Sequence, residues 1–269
     1  MDKILVFIPM YNCEKQIPRV LAKIAFLSEK QKYISEILII DNGSKDRSIY
    51  AASRAAEQVA VKITIVKNRE NVYLGGSHKV AFNYAIDNNF DYVIVLHGDD
   101  QGDIHDILPF LENGEYKKYD SFLGSRFHKD SRLINYSRFR IFGNRVFNTL
   151  VSIAVRRKIS DLGSGLNMYQ VGYLKSRFYL YFPNNLTFNV YLLLYGIYVK
   201  SLFKEFPLTW KEEDQTSNAK LFSQSMEIAG LMFRYAFGRK KLFSIKANTY
   251  SDMTYTYDVV FEKGAGTDD

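Results

Sequence analysis

YVIVLHGDDQGD, residues 92–103, joins an unbroken apolar run to a loop with one histidine and three aspartates. An apolar run without polar alternation reads as a strand buried on both faces, the kind found in a parallel sheet covered by helices. Such sheets bind ligands at the carboxyl ends of their strands. The acidic loop therefore sits where a ligand is expected.

The neighbouring sequence repeats the pattern. KILVFI (3–8), SEILIID (35–41) and VKITIVK (61–67) are strand-like. They alternate with helical spacing in NCEKQIPRVLAKIAFL, in SKDRSIYAASRAAEQV with Ser44 as N-cap, and in GGSHKVAFNYAIDNN. Strand–helix alternation predicts an α/β chain with a mostly parallel, Rossmann-like sheet flanked by helices. Beyond Asp103 the spacing predicts a strand over 120–127, a basic amphipathic helix over 138–159 and a turn into a short strand over 161–169. It then predicts a buried helix over 188–199 and a strand over 201–210. A single catalytic domain is expected over 1–215, followed by an amphipathic helical extension and tail over 216–269, with GAGTDD disordered.

A chain of 269 residues can bury a sizeable core. Cys13 is its one cysteine, which excludes an intrachain disulfide and fits a reducing cytosol. The short apolar N-terminal run reads as a first strand and not as a signal peptide. FNVYLLLYGIYV (188–199) is too short to cross a bilayer. The expected location is cytoplasmic, with peripheral attachment to the membrane face. Net charge is +7, and the excess is concentrated: Lys117 to Lys158 holds eleven basic residues against two acids, and Lys220 to Lys246 six against one. Such patches attract phosphates, in nucleotides or lipid surfaces. No nucleic-acid recognition motif accompanies them.

Closely spaced aspartates repel unless a cation lies between them, and hard divalent cations complete a carboxylate shell with substrate phosphates. Asp99, with Asp100 or Asp103, can hold Mg²⁺ or Mn²⁺, and an imidazole from His97 favours Mn²⁺. The competing reading is a solvated loop in which Asp103 caps the next helix. At the second strand end, Asp41 can accept hydrogen bonds from a base or ribose, or can serve its own turn. At the third, Gly75 and Gly76 let backbone approach a ligand, and Arg69 and Lys79 can meet phosphate. The glycines match neither a dinucleotide fingerprint nor a P-loop, which weighs against hydride transfer and ATP hydrolysis.

The segments IPMYNCEKQI, IIDNGSKDRS, RENVYLGGSHKVAFNYAI, VIVLHGDDQGD and FLGSRF follow the order and spacing of family-2 glycosyltransferases with the GT-A fold. RIFGNRVFNTL, DLGSGLNMY and EFPLTWKEEDQTSNAK resemble the branch that glycosylates polyprenyl or dolichyl phosphate. The resemblance implies roles at matching positions. Pro9, Tyr11 and Glu14 match the nucleotide-binding opening, and Asp41 matches the residue that reads the base. His97-Gly98-Asp99 occupies the DxD metal motif, with Gln101 as a further ligand. Arg126 is implied in phosphate contact, Arg140 and Arg145 in facing the acceptor phosphate, and Ser164 in the acceptor-side turn. Ser217 and Lys220 match a late element near the diphosphate. Three departures stand out: histidine replaces the first aspartate of DxD, Asn167 stands where the branch often has arginine, and no pair of C-terminal membrane helices follows.

The implied reaction is inverting transfer of a sugar from a UDP- or GDP-sugar to a polyprenyl phosphate or a lipid-linked glycan. A divalent cation at Asp99 and nearby cations stabilise the leaving diphosphate. A phosphate acceptor needs no base, whereas a hydroxyl does. Asp161, Glu213 and Asp214 are the candidate bases, each set against a turn or loop role. A nucleotidyltransferase fits less well, because MYNCEKQ lacks the glycine-rich basic loop that holds a triphosphate. A degenerate nucleotide-sugar-binding relative is the alternative that His97 invites.

Overall fold

The computed structural model of the protein describes residues 1–214, 221–244 and 255–265, with side chains 221–225 left aside. The chain order is β1 (Ile4–Met10), α1 (Ile17–Ala25), β2 (Glu36–Asp41), α2 (Ser48–Ala56), β3 (Lys62–Asn68), α3 (Tyr73–Asp87) and β4 (Tyr92–Leu96). It continues with α4 (Leu108–Asn113), β5 (Ser121–Ser125), β6 (Arg132–Ile134), α5 (Arg138–Val155), β7 (Leu166–Gln170) and α6 (Val171–Leu174). The last elements are α7 (Phe188–Tyr198), β8 (Phe203–Pro207), β9 (Thr209–Lys211), α8 (Leu221–Leu242) and β10 (Tyr257–Lys263).

Eight strands form one sheet in the order β10-β3-β2-β1-β4-β7-β5-β8. β3, β2, β1 and β4 pair in parallel, as do β5 and β8. β7 runs antiparallel to both of its neighbours, and β10 antiparallel to β3. The apolar strands follow from two-sided burial. In β1, Ile4, Val6 and Ile8 face a core shared with α1 and α2, while Leu5 and Phe7 face a second core with α3 and α7. Successive side chains of a strand point to opposite faces, so a strand buried on both must be apolar throughout.

Three local expectations are corrected. Ser44 does not cap a helix: α2 begins at Ser48, and the Ser44 hydroxyl accepts instead from the Asn12 amide at 2.9 Å. Arg47 is the N-cap position, and Asp46 just ahead of it accepts from the Ser48 amide at 3.0 Å. The strand expected over 201–210 breaks at Leu208 into β8 and β9, and β9 leaves the main sheet to pair with β6. Residues 257–263, expected within a helical extension, form β10 on the sheet edge. The basic helix, the buried helix and Asp103 as a cap take their expected places. The final residues 266–269, expected to be disordered, lie outside the described residues.

Candidate active site

Strand direction gathers the site along one edge of the sheet. β1, β2, β4, β5 and β8 end there, while the antiparallel β7 begins there. Met10 stands opposite Asp41 across the β1–β2 pair, and the Gly98 amide donates to the Pro9 carbonyl at 3.1 Å. Asp41, His97, Asp99, Arg126, Asp161 and Ser164 come from three strand ends and one strand start along this edge.

The acidic loop divides its labour. Asp100 is buried and takes a left-handed φ of 63°, and its carboxylate meets Arg19 and Lys23, each at 2.7 Å. Asp103 caps the turn at Ile104–Asp106 by accepting from the His105 amide at 3.0 Å. Asp99 accepts from the Gln101 amide at 3.2 Å. Burial pushes the Asp99 carboxyl up to about 6, the neighbouring Asp100 adding to it. His97 donates its amide to the Gly165 carbonyl at 2.9 Å, and its ring stands edge-on to His78, 6.4 Å between centroids. A β-carbon on Gly165 would come within 3.0 Å of that ring. Burial, with the charge of Arg126, holds His97 down to about 4, so its imidazole is neutral at neutral pH. Its Nε2 is enclosed with no hydrogen-bond partner among the described residues.

These residues fit a divalent cation of the kind that relies on its substrate. Among the described residues no three carboxylate, imidazole or thiolate groups converge as a complete cage. A hard cation bound by one or two protein groups completes its shell with phosphate oxygens and water. Asp99 is a carboxylate whose charge the fold disfavours and a cation would restore, and His97 Nε2 is a buried nitrogen without a partner.

At the end of β2, Asp41 is fully buried and accepts from the amides of Gly43 and Ser44, each at 3.2 Å. Pro9 and Tyr11 lie beside it, half-buried. Glu14 accepts from the Arg47 amide at 3.2 Å, at the start of α2. The glycine pair expected to admit a ligand and the two side chains expected to meet phosphate are placed differently. Gly75 and Gly76 make room for the protein itself: a β-carbon on Gly75 would lie 2.7 Å from the Pro183 carbonyl oxygen, and one on Gly76 2.6 Å from Val72. Lys79 is fully buried and donates to the carbonyls of Leu180 and Phe182 and to the Tyr255 hydroxyl. Desolvation pushes its ammonium down to about 7. Arg69 is exposed and forms a two-pronged pair with Asp258 of β10, which raises its pKa.

Between the end of β5 and the start of β7, Arg126 grips Asp161 with Nε at 2.8 Å and Nη2 at 2.7 Å, and its guanidinium lies 5.2 Å over the Trp210 ring. The Arg126 and Gly163 amides also donate to Asp161, at 2.9 and 3.2 Å. Four donors fill the roughly four lone-pair positions of a carboxylate, so Asp161 is not placed as an open base. Asp214 is held by Arg19 at 2.7 Å, which keeps its carboxyl below the usual range, and Glu213 lies 2.7 Å from Lys211. Arg140 pairs with Glu212 and stacks on Tyr136, while Arg145 is exposed on α5. Ser164 is buried, its hydroxyl donating to the Leu166 carbonyl at 3.1 Å. Asn167 braces the same turn, donating to the Ser164 carbonyl at 2.9 Å. Ser217 and Lys220 lie outside the described residues.

Sequence reasoning missed Arg19, which links the acidic loop to the segment after β9 by pairing with both Asp100 and Asp214. It also missed Glu205, whose carboxylate accepts from the Ser160 amide and hydroxyl and so supports Asp161. A lone arginine on an amphipathic helix and a glutamate in a strand carry no local signal for either task.

The model of the family described as Glycosyl transferase family 2 matches residues 5–178. Among curated proteins, the chain is 26% identical over 168 residues to an undecaprenyl-phosphate 4-deoxy-4-formamido-L-arabinose transferase of Photorhabdus laumondii, covering 62% of this chain and 49% of that one. It is 28% identical to the enzyme of the same name from Proteus mirabilis, covering 63% and 49%. The chain thus spans about half the length of the curated relatives it matches. Among solved structures, glucosyl-3-phosphoglycerate synthase from Mycobacterium tuberculosis, with Mn²⁺, UDP-glucose and phosphoglyceric acid bound, aligns at TM-score 0.61 and 14% identity over 87% of this chain and 80% of that one. S. aureus TarS in complex with UDP-GlcNAc aligns at TM-score 0.55 and 17% identity, over 91% and 71%. These likenesses carry the fold, a GT-A arrangement.

Proposed function

The chain belongs to glycosyl transferase family 2, and from that premise we propose that it transfers a sugar, with inversion, from a nucleoside-diphosphate sugar to a polyprenyl phosphate. The nucleotide lies across the ends of β1 and β2, against Tyr11 and the turn that Asp41 holds. A divalent cation, Mn²⁺ or Mg²⁺, is held by Asp99, with Gln101 and the His97 nitrogen at hand; when bound, it neutralises the leaving diphosphate. Arg126 adds fixed positive charge at the same edge, where charge that need not reorganise is most effective. Asp161 orients Arg126 and moves no proton. Arg140, in the first turn of α5, and Arg145, further along its N-terminal half, form the approach for the acceptor phosphate.

The engagement of all three candidate bases carries the choice of acceptor. Asp161 is filled by Arg126, Glu213 stands against Lys211, and Asp214 is drawn to Arg19. A phosphate monoester is already anionic at neutral pH and attacks the anomeric carbon without losing a proton to the protein, whereas a sugar hydroxyl requires a base. The curated relatives, named as undecaprenyl-phosphate transferases, support the same choice.

The test is thermal stabilisation by nucleoside diphosphates and their sugars, with and without Mn²⁺, followed by transfer assays on undecaprenyl phosphate. One nucleotide at about a hundred times its Kd should add roughly 2.7 kcal/mol, and only with metal. Lack of stabilisation by every nucleotide would point to a degenerate site. Transfer to a glycan hydroxyl but not to the lipid phosphate would overturn the acceptor.

A further inference from the structure

α5 is apolar on two opposite sides. Its inner side buries Asn148, Val151 and Val155. Its outer side exposes Phe139, Phe142, Val146, Leu150 and Ile153, with Phe139 83% and Ile153 69% accessible. At about 100° per residue these five fall within an arc of about 80°, centred opposite the buried three. α8 repeats the arrangement: Ile228, Leu231 and Tyr235 are buried while Met226, Phe233 and Phe237 are exposed, the last two rings 4.7 Å apart. The two helices pack against each other. A helix bathed in water keeps its outward side polar, so two neighbouring outward apolar stripes mark a surface that is covered in use.

The charges beside the stripes identify the cover. α5 contains no acidic residue and has Arg138 and Arg145 exposed along one flank, with Arg156 and Lys158 exposed just past its end. α8 carries exposed Arg234, Arg239, Lys240 and Lys241, the last three just beyond a break in the helix at Gly238. An apolar stripe bordered by cations complements a bilayer with anionic headgroups: the stripe enters the acyl boundary while arginine and lysine stay with the phosphates. No described helix is long and apolar enough to cross a membrane, so this contact is one of lying on the surface. α5 starts beside the active site, where Arg140 meets Glu212.

We infer that the outer faces of α5 and α8 form one docking surface for an anionic lipid bilayer, which sets the mouth of the active site at headgroup level. This extends the acceptor reading by naming the surface that meets the lipid, and its test needs no turnover.

The experiment is co-sedimentation with vesicles of phosphatidylglycerol and phosphatidylcholine in equal proportion, and with phosphatidylcholine alone. The wild-type chain should partition onto the anionic vesicles, less onto the neutral ones, and less again at high salt. Phe142→Glu/Ile153→Glu should weaken partition at least about tenfold, since it removes buried apolar area and adds repulsion, with the melting temperature retained. Phe233→Glu/Phe237→Glu should do the same from α8, so the surface is probed from two sites. No partition of the wild type, or equal partition of the variants, would overturn the inference. So would a dimer in sedimentation velocity that the same substitutions dissociate, since a second copy would then be the cover. Partition without transfer to undecaprenyl phosphate would leave docking standing and sink the acceptor reading alone.

Discussion

Arg126 and Asp161 meet through two side-chain hydrogen bonds, at 2.8 and 2.7 Å, while the Arg126 backbone amide donates to the same carboxylate at 2.9 Å. The arginine follows β5 and the aspartate precedes β7, so one pair locks the end of one strand to the entry of its antiparallel neighbour. Burial works against the Arg126 charge, and Asp161 more than offsets it, leaving the guanidinium pKa raised.

Removing one partner of a buried pair strands the other's charge. Asp161→Ala should therefore lower stability by about 3–5 kcal/mol, measured by denaturant unfolding. Asp161→Ala/Arg126→Met should recover much of that loss and remain inactive. A double variant that regains turnover would show that Arg126 has no part in the reaction.

Asp99 should be costly to the ligand-free fold and necessary to the enzyme. Its folded-state value of about 6 lies above the ordinary 3.8. Between those values the folded chain holds a proton that the unfolded chain has released, so stability falls as pH rises through the window and stays reduced above it. Asp99→Asn removes this cost and should raise the melting temperature at pH 7.5 by about 2–4 °C per kcal/mol gained. It should also abolish metal-dependent nucleotide binding. In the wild type that binding should weaken below about pH 6. An Asn variant that turns over normally would remove Asp99 from the reaction.

Lys79 should prove structural. Lys79→Met leaves the carbonyls of Leu180 and Phe182 short of a donor, at a cost of about 1–3 kcal/mol, while nucleotide affinity should stay within about threefold. The wild-type lysine has a depressed folded value of about 7 against 10.5. Over that span the unfolded chain binds the extra proton, so its contribution to stability rises with pH and the Met variant loses that rise. A large loss of nucleotide affinity by isothermal titration would restore the phosphate role.

Gly75→Ala should destabilise the fold and leave the chemistry alone. The added carbon would lie within 2.8 Å of backbone atoms of Pro183 and Asn184, which cannot yield as a side-chain end does. The expected loss is about 1–3 kcal/mol, read by thermal unfolding, with Kd for nucleotide unchanged in the folded fraction.

Much of the architecture was legible along the chain. A strand buried on both faces is apolar along its core, and a helix covering one face of the sheet carries a 3.6-residue stripe, as α1 does with Ile17, Val20, Leu21 and Ile24, so β1 to β4 and α1 declare themselves locally. The position of the acidic loop followed too, because parallel strands all deliver their carboxyl ends to one edge. β10 was not legible. YDVVFEK becomes a strand by pairing with β3, nearly two hundred residues earlier, and no short-range pattern records that partner.

The candidate site divided in the same way. Residue type and position singled out Asp41 and Asp99, because acids at strand ends are informative whatever surrounds them, while the family resemblance added Arg126 and its implied reaction added Asp161. Only the tertiary structure decided what each one faces. It turned Lys79 inward onto two carbonyls, gave Gly75 to the chain's own backbone, matched Asp100 and Asp214 through Arg19, and closed Asp161 on Arg126. These are relations between groups distant in sequence and near in space. A sequence specifies which charges exist and the strand ends that carry them; which charge neutralises which is set by the packing of the sheet and its helices.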